Sequence, residues 1–526
     1  MERGSTVDRD LQALQEVRDC LLRAREAARA LRTYSQSRID TICRAMAMAG
    51  SREAERLAKL AVEETGMGVV ASKIQKNRVA SELLWDAIKD MKTVGVIGRD
   101  DNNRVYEIAA PMGTVAAIIP TTNPTSTAIY KSIIALKARN PIVVSPHPRA
   151  VRCIAESCRV VGEAAERAGA PRHAVQCLTN VTLEATQALM SHPLTGVILA
   201  TGGMELVRAA YSSGKPALGV GAGNPPAIVD VRGDVPLAAR MIVASQTFDN
   251  GTICSSEQSI ICLAPVKEQL LSELVRLRCH LCSPEEIKLL EKIVVRGRRQ
   301  NPAIVGQYPR TIAKMAGFEV PHDTTVLICE YSGVGWEHPL SIEKLSPILA
   351  LYTVRDLEEA ARLADELLRF GGDGHTLAIH TRDEEAVMRL ADLLPACRIL
   401  VNAPTSQGSV GFATALFPSM TLGCGTFGNN ISSNNISPRD LLNIKRVAWV
   451  REEMTREDFD PDAYFREVRA RAYGVVESAE GAPGPVRPYL HPKVAGGGQR
   501  QDAAAGALPR LSREELEKIV SRGLAR

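Results

Sequence analysis

Between residues 114 and 145 the chain alternates two hydrophobic textures in a way few architectures accommodate. "TVAAIIP" (114–120) is a short apolar run closed by Pro120, the pattern of a strand buried on both faces. A polar loop, "TTNPTST", follows, then "AIYKSIIALKARN" with helical spacing, ended by Asn140-Pro141, and "IVVS" (142–145) is a second buried strand. Strand, loop, helix and strand make a βαβ unit, which implies a parallel sheet with a right-handed crossover. The pattern recurs. "AVRCIAESCRVVGEAAERAG" predicts a helix ended by Gly169, "TGVILATGGMELVRAAYSSG" a strand, a Gly-Gly turn and a helix, and "PALGVGAGNPPAIVDV" further extended chain. Such alternation predicts an α/β, doubly wound domain whose ligand lies beyond the carboxyl ends of the strands.

Residues 8–65 are helical by period, with Leu14, Val17, Leu21 and Leu22 at helical spacing. After 246 a second α/β domain begins, with helices near 266–278 and 356–369 and extended runs at 325–329, 348–352, 376–380 and 398–402. A length of 526 residues fits two or three domains. Lys plus Arg (64) nearly balance Asp plus Glu (60) without a basic block, which disfavours nucleic acid. The N-terminus has no apolar core of signal-peptide length and no run is long enough to span a membrane, so a cytoplasmic protein is expected. The twelve cysteines are scattered, and the one C-x-x-C, Cys279 and Cys282, has no second pair at a suitable distance. No metal is expected.

From 477 the composition shifts. Residues 477–507 are rich in Gly, Pro and Ala and predict a flexible linker. Residues 508–526 predict a short amphipathic helix: Ser512 and Glu515 form a capping box, Leu511 staples onto Leu516, and Leu516, Ile519, Val520 and Leu524 make one stripe. Too short to be stable alone, that helix needs a partner or docks back onto its own enzyme.

One cysteine stands apart. In "TFDNGTICSSEQSIIC" (247–262), Cys254 sits among Asp249, Asn250, Thr252, Ser255, Ser256 and Glu257, whereas Cys262 ends an apolar run as inert core cysteines do. "GVGAGN" (219–224) superficially suggests a dinucleotide fingerprint, but the segment after it is extended rather than helical. The strand–"TGG"–helix at 199–206 is better placed, because a helix N-terminus offers free N–H groups to a pyrophosphate; a tight turn needing Gly is the plainer alternative. Neither a P-loop nor a G-x-S-x-G elbow occurs.

Together "PMGTVAAIIPTTNPTSTAIYKSIIALKARNPIVVSPHPRA", "TFDNGTICSSEQS", "EKLSPILA" and "GCGTFGNNISSNNISPRDLLNIKRVA" resemble the CoA-acylating aldehyde dehydrogenases over roughly residues 8 to 475. The resemblance implies an aldehyde dehydrogenase fold: an NAD-binding domain (1–245, with a strand extension near 104–110), a catalytic domain (246–430) and a return to the oligomerisation and cofactor domain (431–476). It implies conversion of acetaldehyde or propionaldehyde, with CoA and NAD, to acyl-CoA and NADH. Cys254 is cast as the nucleophile, with the Asn123 amide and the Cys254 N–H as oxyanion donors; the bland reading of Asn123 is a turn residue before Pro124. Glu343 matches a glutamate that holds the nicotinamide ribose, against the alternative of a surface charge. Thr201 and Gly202 fall where cofactor phosphates approach a helix start, with Thr121, Ser145 and His147 also at the cofactor. His147 is equally readable as a structural histidine. His375 matches a recurrent histidine of unread role, and Cys424 in "GCGTFGNN" is the rival thiol.

The departures from the wider superfamily are informative. Hydrolytic members carry a glutamate in E-L-G-G-K that activates water; here Val220 or Gly221 stands there. Water ionises near pKa ~15.7 and a thiol near ~8.5, a gap of about 10 kcal/mol in forming the anion. Losing the base therefore penalises hydrolysis heavily and thiolysis little. The superfamily lysine near the adenine ribose is replaced by Ser145 and His147, so NAD is inferred over NADP from the resemblance alone. Rival readings are a glutamyl-phosphate-reductase-like enzyme, a hydrolytic aldehyde dehydrogenase and a non-catalytic assembly protein. The family forms homodimers or homotetramers through strands near 104–110 and 431–450. The tail resembles peptides that deliver enzymes to the shell proteins of bacterial microcompartments.

Overall fold

The computed structural model describes residues 8–474, so the linker and helix expected at 477–507 and 508–526 lie outside the described residues. The chain forms two compact units, Met1–Trp449 and Val450–Arg526. In the second, the helix Pro461–Tyr473 starts at Asp460, whose carboxylate accepts from the backbone N–H of Asp462.

The first unit carries every strand among the described residues. A five-stranded parallel sheet runs in the order Val175–Cys177, Ile142–Pro146, Thr114–Ile119, Thr195–Thr201, Ala217–Val220. Its central strand is buried along its whole length because successive side chains feed opposite cores. Val115, Ala117 and Ile119 pack with Ile39, Ile42, Ile129 and Ile133 of the helices Gln36–Arg52 and Pro124–Lys137. Ala116 and Ile118 pack with Val17 and Leu21 of Arg9–Leu31 and Leu189 of Leu183–Ser191. The apolar periodicity of 8–65 thus covers one sheet from both sides. The chain leaves the central strand toward 142 and 175, then returns to its other flank at 195. This reversal makes a crevice at the carboxyl ends of the strands.

The second parallel sheet has seven strands, ordered His280–Leu281, Leu327–Glu330, Ile348–Val354, Ser259–Leu263, Pro226–Val229, Gly374–His380, Ala396–Val401. The extended segment "PALGVGAGNPPAIVDV" therefore divides: Ala217–Val220 completes the first sheet and Pro226–Val229 enters the second. The amino ends of Pro226–Val229, Ser259–Leu263 and Gly374–His380 bring Gly223, Cys254 and His375 together. Those ends meet the carboxyl ends of the first sheet, where Thr121, Ser145, Thr201 and Cys254 line one cleft.

A third sheet is antiparallel, with Val105–Pro111 between Gly95–Asp100 and Leu442–Ala448. It exposes Val96, Ile444, Val447 and Trp449. No helix among the described residues is long and apolar enough to cross a membrane.

Candidate active site

The cleft between the two parallel sheets encloses about 590 Å³ and is lined by Asn123, Thr121, Ser145, His147, Thr201, Gly202, Cys254 and Glu343 among others. All eight site residues expected from the sequence thus converge on one cavity.

Cys254 follows a sharp turn. Asp249 and Asn250 hold left-handed φ values of 54° and 52°, a costly conformation for residues other than glycine. The turn persists because its side chains are tied down. The Asp249 carboxylate accepts from Val69 N (2.7 Å), Lys73 Nζ (2.9 Å), Thr252 Oγ1 (2.7 Å) and Lys76 Nζ. Asn250 Nδ2 donates to Gly306 O at 3.1 Å. Burial opposes the charge on Asp249, but Lys73 and Lys76 outweigh it and hold the carboxyl below its usual range.

The Cys254 thiol is pushed up to about 12, first by burial and then by Glu343 and Cys424, with Arg398 opposing. At rest it is a thiol, and its partner is His375, whose Nε2 lies 3.1 Å from Sγ. Burial, and then Arg398, hold that imidazole well below the usual histidine range, so it is neutral at neutral pH. Its Nδ1 lies 2.9 Å from Thr376 Oγ1. A thiol facing a neutral imidazole nitrogen is an arrangement from which a thiolate can be generated on demand. In the sequence His375 stands in a Gly-rich loop and matches a recurrent histidine, but its role is not readable there, because its neighbour is 121 residues away.

Asn123 is the N-cap of Pro124–Lys137, yet its side chain makes no cap bond. Its Oδ1 instead accepts from Lys76 Nζ at 2.5 Å, and its Nδ2 makes long contacts with Thr122 Oγ1 (3.2 Å) and Thr252 O (3.5 Å). Glu343 is not a surface charge. Its Oε1 accepts from Gly223 N at 3.0 Å, and burial pushes its pKa up to about 8, keeping the carboxyl largely protonated at neutral pH.

No carboxylate stands where a water-activating base is read in hydrolytic relatives. Val220 is buried at the end of its strand, and a Cβ on Gly221 would collide with Met204 Sδ. A Cβ on Gly223 would fall on the carbonyl oxygen of Cys254 and within 3.0 Å of the His375 ring.

At the opposite wall, Thr195–Thr201 runs through Gly202 and Gly203 into the helix Met204–Tyr211, which has no side-chain cap. Thr201 Oγ1 is buried without a partner, and nothing lies near a Cβ placed on Gly203. Free helix N–H groups, an unsatisfied hydroxyl and an open glycine suit the diphosphate of a dinucleotide. Ser145 Oγ is engaged with Thr186 Oγ1 at 2.9 Å, and His147 is exposed at the cleft with its Nδ1 accepting from Arg149 N at 3.1 Å. Cys424 is buried, donates only to Leu422 O at 3.5 Å and does not line this cleft. His280, Cys282 and Glu286 come within 4.8 Å of one another, but Glu286 already caps a helix from Ser283 and bonds His280.

The model of the aldehyde dehydrogenase family matches residues 8–280. The bifunctional aldehyde-alcohol dehydrogenase of Escherichia coli (strain K12) is 42% identical over 449 residues, covering 84% of this chain and 50% of that protein. The chain thus spans about half the length of such bifunctional relatives. An acetylating aldehyde dehydrogenase from Geobacillus thermoglucosidasius has a crystal structure that superposes with a TM-score of 0.84 at 50% identity, covering 86% of this chain and all of that one. A propionaldehyde dehydrogenase from Rhodopseudomonas palustris, crystallised with bound CoA and an acylated cysteine, superposes with a TM-score of 0.73 at 28% identity, covering 82% of this chain and 97% of that one. The chain belongs to the aldehyde dehydrogenase family.

Proposed function

We propose that the enzyme oxidises acetaldehyde or propionaldehyde with NAD and passes the acyl group from Cys254 to CoA. His375 Nε2 accepts the Sγ proton as the thiolate attacks the aldehyde carbonyl, giving a thiohemiacetal whose oxyanion lies between the Asn123 amide and the Cys254 N–H. NAD supplies the hydride acceptor, and Glu343, Thr201, Gly202, Thr121, Ser145 and His147 are the residues that would hold it. Loss of the hydride leaves an acyl thioester on Cys254. His375 releases the first proton to solvent and takes that of the CoA thiol as it adds to the thioester; the tetrahedral adduct collapses, Cys254 leaves as a thiolate, and His375 returns the proton to Sγ.

The observation that carries this reading is the Cys254–His375 pair, in a cleft where Val220 or Gly221 stands in place of a water-activating carboxylate. A thiol needs only the weak base present, whereas water needs one that is missing. The hydrolytic reading therefore ranks below it. NADH formation from either aldehyde, with and without CoA, tests it: steady turnover should require CoA, and turnover indifferent to CoA would contradict it.

The division of labour follows: the five-stranded sheet with its helices binds NAD, the seven-stranded sheet carries the nucleophile, and the strands near 104–110 and 442–448 pair subunits into a homodimer or homotetramer. The exposed apolar side chains of that sheet support the last assignment. Residues 508–526 are proposed, from their sequence pattern, to bind microcompartment shell proteins. Deleting them should leave turnover intact and abolish co-purification with shell; unchanged association would refute the idea.

A further inference from the structure

Two lysines one helical turn apart, Lys73 and Lys76 on Val70–Arg78, are buried side by side behind the cleft. A buried ammonium is expensive unless paired, and two together repel. One shared carboxylate, Asp249, compensates both. Lys73 completes its coordination on a backbone carbonyl, Thr122 O at 3.1 Å. Lys76 does something else: besides Asp249 and Thr252 Oγ1 (3.2 Å), it donates to the side-chain oxygen of Asn123 at 2.5 Å.

That contact fixes a choice an asparagine otherwise leaves open. A carboxamide presents an oxygen on one side and an NH2 group on the other. Facing an ammonium, only the oxygen is tolerated, so the NH2 is forced to the opposite side. A cation on the carbonyl oxygen also polarises the amide and strengthens its N–H groups as donors. The present acceptors of Nδ2, at 3.2 and 3.5 Å, are long and readily surrendered to an anion. The groups around Lys76 are Lys73 on its own helix, Asp249, Thr252 and Phe248 on the turn before the nucleophile, Asn123, and Cys254 itself.

We propose that Lys76 is a positioning residue. Its ammonium holds Oδ1 of Asn123 so that the NH2 group is fixed as the donor to the oxyanion formed at Cys254, with Asp249 anchoring the ammonium. The proposal rests on the oxyanion role given to Asn123 above. It also accounts for the strained turn: the left-handed Asp249 delivers the carboxylate to the lysines and the thiol to the cleft in one short segment. Gly68 serves the same end, because a Cβ there would overlap the Asp249 carboxylate.

A double-mutant cycle on the full-length enzyme tests this. Asn123→Ala should lower kcat about 100-fold, the usual effect of losing an oxyanion donor. Lys76→Met should lower kcat about 10- to 100-fold, with the KM values for NAD and CoA unchanged. If Lys76 acts through Asn123, the double variant should be no slower than Asn123→Ala by more than about twofold. Lys76→Gln, which keeps a neutral donor, should retain part of the rate and serves where Lys76→Met does not fold. Full additivity, with Asn123→Ala alone strongly impaired, would overturn the positioning role and leave the oxyanion assignment standing. An Asn123→Ala variant at wild-type rate would overturn both.

Discussion

The loop 247–258 and the strand Ser259–Leu263 that follows it hold two thiols in opposite circumstances. Burial pushes both Cys254 and Cys262 up to about 12, so resting acidity does not separate them. Their neighbours do. Cys262 Sγ reaches only Leu263 O, at 3.4 Å inside an apolar core, and a proton leaving it has nowhere to go. Cys254 Sγ faces a neutral imidazole nitrogen at 3.1 Å and opens into a cleft. A reactive cysteine is thus recognised by what can take its proton when a substrate arrives, and not by a thiolate already present.

Removing each thiol should break the symmetry most sharply. Cys254→Ala should lower acyl-CoA formation by about 10⁴-fold or more, as loss of a covalent nucleophile does. Cys262→Ala should leave the rate within about twofold and cost about 1 kcal/mol in a denaturant melt. His375→Ala, which strands the proton of Cys254, should slow the single-turnover NADH burst by about 100-fold or more. Because the His375 imidazole is depressed and already neutral, wild-type kcat/KM should show no falling acid limb at about pH 6.5, the ordinary histidine value. Gly223→Ala, which pushes the Cys254 carbonyl aside, should cost about 100-fold through misplacement of Sγ, with the fold retained by circular dichroism. The smallest effect concerns Glu257 of the same loop, whose Oε1 accepts from Thr405 N at 3.1 Å while Oε2 has no partner. Burial raises it to about 7. A raised carboxyl stabilises the fold fully below its ordinary value of about 4.3, and that stability is lost as pH rises through about 7. Glu257→Gln should flatten the fall in Tm between those limits; an unchanged pH slope would contradict the assignment.

The fold was largely legible because buried parallel strands and amphipathic helices write their periods directly into the chain: "TVAAIIP", "IVVS" and the helix after Ala150 all form where their patterns place them. Which sheet a strand joins is not written that way. Pro226–Val229 reads as a continuation of Ala217–Val220, yet pairs with Ser259–Leu263 and Gly374–His380. At the site, Cys254 was legible as a thiol in polar company, but the purpose of that company was not. Asp249 meets Lys73 across 176 residues, a pairing that no local pattern writes into the sequence. The depth of Glu343 and the exposure of His147 are likewise products of tertiary packing, invisible in short motifs.

In the proposed reaction an acyl group waits on Cys254 until a thiol removes it. Mixing the enzyme with acetaldehyde and NAD in the absence of CoA, then following NADH and the mass of the peptide bearing Cys254, addresses it most directly. One equivalent of NADH per active site should form with an acetyl adduct on that peptide, and turnover should resume only when CoA is added. Continued NADH production without CoA, or a burst that leaves Cys254 unmodified, would contradict it.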